Sequence, residues 1–359
     1  MVGINRGVMK TIWRDLKTVA ATVLIGAGAL MPVHAASAGD LESAFDRTLG
    51  TQVRAPQSLV TPVAPVSPAA TPRIFRSAFE AQLAALADAS AGRIGVATID
   101  LVTGRSFEVL GDQPFPLAST SKIAIVATYL EGVDRGRFRM DQQFPLMVPL
   151  PSKKFDGPVA PVRAGTMLSA QSLIELALTR SDNQATDALL AAVGGPQAVN
   201  AWARRAGIQN FRIDRDIATL VRDDGAINPA TTIDQRDSVT PMAMVRLLTG
   251  IYRGQWLSPA SRSFLIATME RCVTGKRRIP ALLPEGTRVA HKTGTLNNTA
   301  SDVGIIQLPD GRAMAVAIYV TGQGGKPNRD ARIAAIARAI YDGYQTPDQS
   351  AGYRAAASR

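Results

Sequence analysis

The chain is poor in the groups that most often carry metal or redox chemistry. Among 359 residues there is one cysteine, Cys272, and there are two histidines, His34 and His291. One cysteine excludes an internal disulfide, and its expected place is that of a small buried apolar residue. So few histidine and cysteine ligands exclude a zinc site built on them, and neither metal nor cofactor is expected. Aromatic residues make up 5% of the chain, and no dense basic run is interleaved with them. Nucleic-acid binding is therefore a poor account of the net charge of +11. Glutamate is missing from one long stretch, with none between Glu175 and Glu270.

What is present has an ordinary globular balance, 46% hydrophobic and 19% charged, on a chain long enough for a sizeable core. Arg6, Lys10, Arg14 and Lys17 precede the apolar run "VAATVLIGAGALMPV" and the small residues of "HAASAG". This is the pattern of an export signal cleaved after Ala35 or Ala38, and the run is short for a membrane span. An uncleaved N-terminal anchor is the alternative. Periplasmic or secreted localisation follows, with no stable membrane insertion once residues 1–38 are removed. Their removal leaves 36 basic against 28 acidic residues, a charge of about +8. That charge suits solubility, or attraction to anionic substrates or an anionic envelope.

"TQVRAPQSLVTPVAPVSPAATPR" is rich in proline and without helical periodicity, so 39–74 reads as an extended tether. The folded domain is expected over 75–345, with a loose tail at 346–359. "FRSAFEAQLAALADAS" has helical spacing. "GRIGVATIDLVTGRSFEVL" reads as two strands around a turn at Thr103–Gly104. Helices are expected over 119–134, 170–180, 184–205 and 241–253. In "SPASRSFLIATMERC", Ser258 is placed as an N-cap with Pro259 at the first helical position. "RVAHKTGT", "SDVGIIQLPD" and "RAMAVAIYVT" read as strands with a Pro309–Asp310–Gly311 turn, and "RDARIAAIARAIYDGY" as a closing helix. Strands at both ends with helices between them predict an α/β chain of the α+β type. Its antiparallel sheet is flanked by helices and carries an inserted helical lobe.

Three short motifs carry the chemistry. Ser119-Thr120-Ser121-Lys122 is the only Ser-x-x-Lys, set just before the apolar run "IAIVATYLEGV". A lysine one helical turn from a serine and facing a core loses hydration, which favours its neutral amine. Such an amine can activate the serine as a nucleophile. Ser181-Asp182-Asn183 follows a helical segment and reads equally as a helix cap. Lys292-Thr293-Gly294 lies on an expected strand. His291 precedes Lys292 there, so the two side chains point to opposite faces. That separation, with so few histidines, disfavours a Ser-His-Asp hydrolase.

Together, in this order, the motifs are those of the penicillin-recognising serine enzymes. From about Phe75 to Tyr344 the chain resembles the class A serine β-lactamase family. The supporting stretches include "FPLASTSK", "LTRSDNQATDALL", "RDSVTPMAM" and "VAHKTGT". The resemblance implies a small-molecule β-lactam substrate, a monomer, and no cofactor. Ser119 would be the acylated nucleophile, and its place at a helix start favours developing negative charge. Lys122 would take its proton, and Ser181 would relay a proton to the leaving nitrogen. Asn183 would bind the substrate's side-chain amide. Lys292, Thr293 and Gly294 would form the carboxylate-facing strand, and the Thr295 N–H would complete the oxyanion hole. Arg278 would bind the carboxylate, or else it belongs to a solvated basic loop. The wider superfamily adds a D-alanyl-D-alanine peptidase as a rival, and a non-catalytic wall-peptide or β-lactam binding module is a second.

The departure lies in the loop before "RDSVTP", where class A enzymes carry a glutamate that positions the deacylating water. Aligned forward from "FRIDRD", that place falls on Ile217; aligned backward from Asp237, it falls on Asp224, with Asn228 matching the family's later asparagine. Asp224 is the preferred base, the alternative being that Asp223 and Asp224 are turn residues before Gly225. The loop-closing ion pair is expected between Asp237 and Arg215 or Arg222.

Overall fold

The computed structural model describes residues 59–63, 77–150 and 157–345. The expected signal segment and the tail after Gln345 lie outside them. The described chain begins with a strand, β1 (Val60–Pro62), inside the segment read as a tether. Helix α1 (Ala78–Leu86) follows, with Ser77 as its cap. The hairpin β2 (Ile94–Asp100) and β3 (Ser106–Val109) turns at Gly104, whose φ of 75° suits glycine. Strand β4 (Phe115–Pro116) leads through a 3-10 turn, Ala118–Ser121, into α2 (Lys122–Asp134).

A lobe of helices comes next. The hairpin β5 (Gln143–Pro149) and β6 (Val162–Ser169) precedes α3 (Ala170–Glu175), which runs into a π-helical turn over Leu176–Arg180. The helix expected over 184–205 is two helices, α4 (Asn183–Val193) and α5 (Gly195–Arg205). Gly194 breaks them apart with φ 101°, and Pro196 restarts the second within its first turn. The loop that follows holds β7 (Phe211–Arg212), α6 (Ile217–Arg222), β8 (Thr232–Asp234) and β9 (Ser238–Val239). Strand β1 pairs antiparallel with β8, so residues of the tether segment are tied to this loop. Helices α7 (Pro241–Tyr252) and α8 (Pro259–Glu270) lead back to β10 (Val289–Leu296), β11 (Thr299–Gln307), β12 (Ala313–Thr321) and the closing helix α9 (Lys326–Gln345). Ser258 caps α8 as expected, accepting from the Ser261 N–H.

The main sheet is antiparallel, ordered β10-β11-β12-β2-β3, and is built from both ends of the domain. Strand β12 shows why it is covered on both faces. Ala313, Ala315, Ala317 and Tyr319 join the core shared with α2 and α7. Met314, Val316, Ile318 and Val320 join the core shared with α9. The period-two alternation sets three alanines and Tyr319 against one helical layer, and Met314 with three β-branched residues against the other. Burial of each branched side chain contributes about 1.5–3 kcal/mol. No helix among the described residues is long and apolar enough to cross a membrane.

Candidate active site

Ser119 lies in the turn that enters α2. Ala118 before it adopts a left-handed φ of 46°, strain of about 1–3 kcal/mol that the surrounding packing must hold. Ala118, Thr120 and Ser121 are buried, whereas Ser119 is only half-buried. The Ser121 hydroxyl turns inward and donates to the Ala118 carbonyl at 2.9 Å. Ser119 is thus the more exposed serine of the turn. Strand β10 is the edge of the main sheet, so its outward N–H groups have no neighbouring strand on that side. Gly294 brings it close: a Cβ there would meet Ala118 Cβ and the Leu117 carbonyl, each at 3.1 Å.

Lys122 begins α2 and is fully buried. Its Nζ donates to the Ser181 carbonyl at 2.7 Å and to Asn183 Oδ1 at 2.8 Å, with Ser181 Oγ and the Asp182 carbonyl at 3.3 Å. Ser181 is presented by the π-helical turn and itself has a left-handed φ of 60°. Asp182 caps α4 through the Ala185 N–H at 2.8 Å. The two readings of this triplet therefore coincide: Asp182 caps the helix while Ser181 and Asn183 meet the lysine. Lys292, also fully buried, donates to Ser181 Oγ at 2.9 Å and to the Thr293 carbonyl at 2.9 Å. Both amines bond to oxygens without full charge. Burial, reinforced by the nearby Lys292 cation, pushes the Lys122 amine well below the ordinary lysine range. Burial brings Lys292 down to about 8.

Thr293 shares a 2.7 Å hydrogen bond with the Thr274 hydroxyl. Thr295 is exposed at the end of β10, and its hydroxyl accepts from Arg278 Nη2 at 2.7 Å. Arg278 does not lie in a solvated loop. It is 2% exposed, pairs with Asp330 at 2.7 Å, and donates to the carbonyls of Gly294 and Ser301. It is buried against the strand, with its Nη2 on the Thr295 hydroxyl.

The loop from β7 to β9 separates the two alignments left open by the sequence. Arg215 Nε meets Asp237 Oδ2 at 2.6 Å, closing the loop, whereas Arg222 pairs with Asp223. The Asp187 carboxylate accepts from the Ile217 and Ala218 N–H groups at 2.7 and 2.9 Å, fixing the start of α6 against α4. Ile217, Val221, Asn183 and Asp187 consequently line one cavity of about 250 Å³. Asp224 is elsewhere. Its exposed carboxylate accepts from the Asn297 N–H at 2.8 and 3.0 Å, and Asn228 meets Asn298. Asp224, preferred as the base from the sequence, is bonded to the β10–β11 turn and is not among the residues lining the cavity beside Asn183.

Sequence reasoning missed Asp187, whose carboxyl is pushed up to about 6 by burial against the hydrogen bonds of its two amide donors. The signal was present, since Asp187 lies four residues beyond Asn183 on the same helix face. Cys272 was also misjudged. It is partly exposed, 3.2 Å from the Thr274 hydroxyl.

Comparison with known proteins gives a consistent result. The model of the "Beta-lactamase enzyme family" matches residues 78–344. β-Lactamase CTX-M-25 of Escherichia coli is 34% identical over 268 residues, covering 73% of this chain and 88% of that protein. CTX-M-8 of Citrobacter amalonaticus is 33% identical over 271 residues, with the same coverage of 73% and 88%. Among solved structures, an ancestral class A β-lactamase aligns with TM-score 0.63 at 36% identity, over 74% of this chain and 99% of that one. A β-lactamase from Chitinophaga pinensis aligns with TM-score 0.66 at 27% identity, over 75% and 100%.

Proposed function

Because the chain belongs to the class A serine β-lactamase family, we propose that it opens β-lactam rings by acylating Ser119, and that it releases the acyl group slowly. The observation that carries the first half is the convergence of Lys122 and Lys292 on the Ser181 hydroxyl. A lysine amine that burial shifts toward its neutral form can take the Ser119 proton as Oγ attacks the lactam carbonyl. The proton passes to the lactam nitrogen through Ser181 as the C–N bond breaks. The N–H groups of Ser119 and Thr295 receive the oxyanion. Lys292, with Thr293, attracts the substrate carboxylate.

The second half rests on Ile217 and Val221. Both are apolar, and both line the cavity beside Asn183. The polar groups that line it, Asn183, Asp187 and Arg222, are already engaged by Lys122, by two amides and by Asp223, and a hydrolytic water needs two or more polar partners to be held. The finer parts of the reading are export after removal of residues 1–38, a monomeric enzyme, and a catalytic domain over 75–345. They rest on the basic and apolar N-terminal pattern and on the extent of the family match.

Intact mass of the purified protein after mixing with benzylpenicillin tests the proposal. One penicilloyl adduct is expected within seconds to minutes, and none on Ser119→Ala. Absence of any adduct and of any turnover in the wild type would leave only the non-catalytic binding module. A D-alanyl-D-alanine peptidase, favoured as a second reading by the same Ile217, would cleave a stem peptide faster than a chromogenic cephalosporin.

A further inference from the structure

Strand β1 (Val60–Pro62) lies ahead of the family match, which begins at residue 78. It nevertheless pairs with a strand inside the loop from β7 to β9. Val60 faces Asp234, Thr61 faces Ile233 and Pro62 faces Thr232 in antiparallel register. Hydrogen bonds of 2.8 Å close the pairing at both ends. One runs from the Val63 N–H to the Thr231 carbonyl, the other from the Gln235 N–H to the Leu59 carbonyl. Proline is tolerated at position 62 because alternate residues of an antiparallel pair point their N–H away from the partner. Leu59, Val60 and Val63 are half-buried, so the segment packs as well as pairs.

Among the described residues β1 is the one sheet partner of β8. Without it β8 would present a row of unpaired N–H and C=O groups. The loop is therefore held in three places. Arg215 and Asp187 hold the limb that carries α6. Asp224 and Asn228 hold its far end to the β10–β11 turn. The returning limb, 231–235, is held by β1. That limb stands close to the site: Thr232 and Asp234 line a cavity of about 240 Å³ together with Pro116 and Leu296. Pro116 leads into the Ser119 turn, and Leu296 follows Thr295 on β10. Just beyond β8, the Asp237 carbonyl accepts from the Leu117 N–H at 2.8 Å.

We propose that residues 59–63 are a strap that positions this loop over the site, and that losing the strap lets water reach the acyl-enzyme. The strap touches no reacting atom and acts through the loop. With both limbs held, Ile217 and Val221 stay closed on the cavity beside Asn183. With the returning limb free, local opening of the loop becomes more frequent, and the ester that these side chains shield meets solvent. Water then adds to the ester carbonyl carbon, the bond from that carbon to Ser119 Oγ breaks, and Oγ takes a proton from the water. This consequence rests on the proposed acyl-serine; the pairing of the strap does not.

Amide hydrogen exchange of the full chain tests the strap without involving Ser119. The Gln235 N–H, bonded to Leu59, is expected to exchange far more slowly than in an unstructured peptide. Exchange at the unstructured rate in the wild type overturns the pairing, and that result requires no variant to fold. Val63→Pro removes the N–H that bonds Thr231. Checked for native melting, it should speed exchange at Gln235 by about twofold to tenfold, the net worth of one hydrogen bond. Val63→Ala keeps that N–H and should exchange as the wild type does. Equal exchange in folded Val63→Pro and wild type overturns the strap, as does an equally large change in Val63→Ala. After benzylpenicillin, the penicilloyl adduct should decay several-fold faster in Val63→Pro and at the wild-type rate in Val63→Ala, with acylation unchanged in both. Equal lifetimes in all three proteins overturn the positioning role, and so does a loss of acylation in step with the lifetime. A wild type that never acylates refutes the proposed function and leaves the exchange result to stand by itself.

Discussion

Lys292 Nζ lies 2.9 Å from Ser181 Oγ, the same oxygen that Lys122 Nζ approaches to 3.3 Å from the other side. One hydroxyl therefore joins the two buried lysines. It can accept from the cation and pass its own proton onward, which neither lysine does alone.

Ser181→Ala removes that link while preserving the turn. Acylation by benzylpenicillin is expected to slow by about 10²–10⁴, the usual worth of a positioned proton-transfer group. The thermal midpoint should change little. Stopped-flow acylation with a chromogenic cephalosporin measures it, and a loss below tenfold would remove Ser181 from the proton path.

The Lys292 amine, lowered by burial from 10.5 to about 8, is a cation below that value and neutral above it. Attraction for a substrate carboxylate is thus present at neutral pH and is lost as pH rises through about 8. The acylation rate constant per unit penicillin should fall along that limb. Lys292→Arg keeps its charge throughout, so its profile should be flat there even if its absolute rate is lower. A descending limb retained in Lys292→Arg would assign the limb to another group.

Ile217 lines the cavity beside Asn183, and the forward alignment from "FRIDRD" sets it at the family's glutamate. The double change Ile217→Glu, Val221→Asn supplies a base and a second polar partner for water. It is expected to shorten the acyl-enzyme lifetime by about 10²-fold or more. Asp224→Asn, at a carboxylate bound to the Asn297 N–H, should leave that lifetime unchanged. Mass-resolved decay of the penicilloyl adduct reads both, and a lengthened lifetime in Asp224→Asn would return the role to that residue.

Arg215 and Asp237 close the loop with side chains 18% and 5% exposed. Asp237 Oδ1 also accepts from the N–H groups of Asp214 and Arg215. Arg215→Ala leaves a nearly buried carboxylate without its cation, a loss of about 2–4 kcal/mol after allowing for the partial exposure. Urea unfolding should show it, together with faster proteolysis between residues 211 and 239. A stability within 0.5 kcal/mol of wild type, about the spread of neutral surface changes, would mean that the loop is held by Asp187 instead.

Much of this protein is determined by local sequence. Alternating apolar residues over 313–321 specify a strand buried on both faces, because side chains in a strand alternate every residue. Ser258 and Pro259 start α8 through the hydrogen-bonding and dihedral preferences of single residues. Gly194 ends α4 because only glycine adopts its φ without strain. The three motifs were legible for the same reason, each being a short run of residue types with one chemistry. The tertiary structure alone decided the relations between runs. Lys122 and Lys292 are separated by most of the domain, and only the fold sets both on Ser181. Whether Ile217 or Asp224 stands beside Asn183 depended on the two amide hydrogen bonds to Asp187, a contact across the loop that chain spacing could not supply.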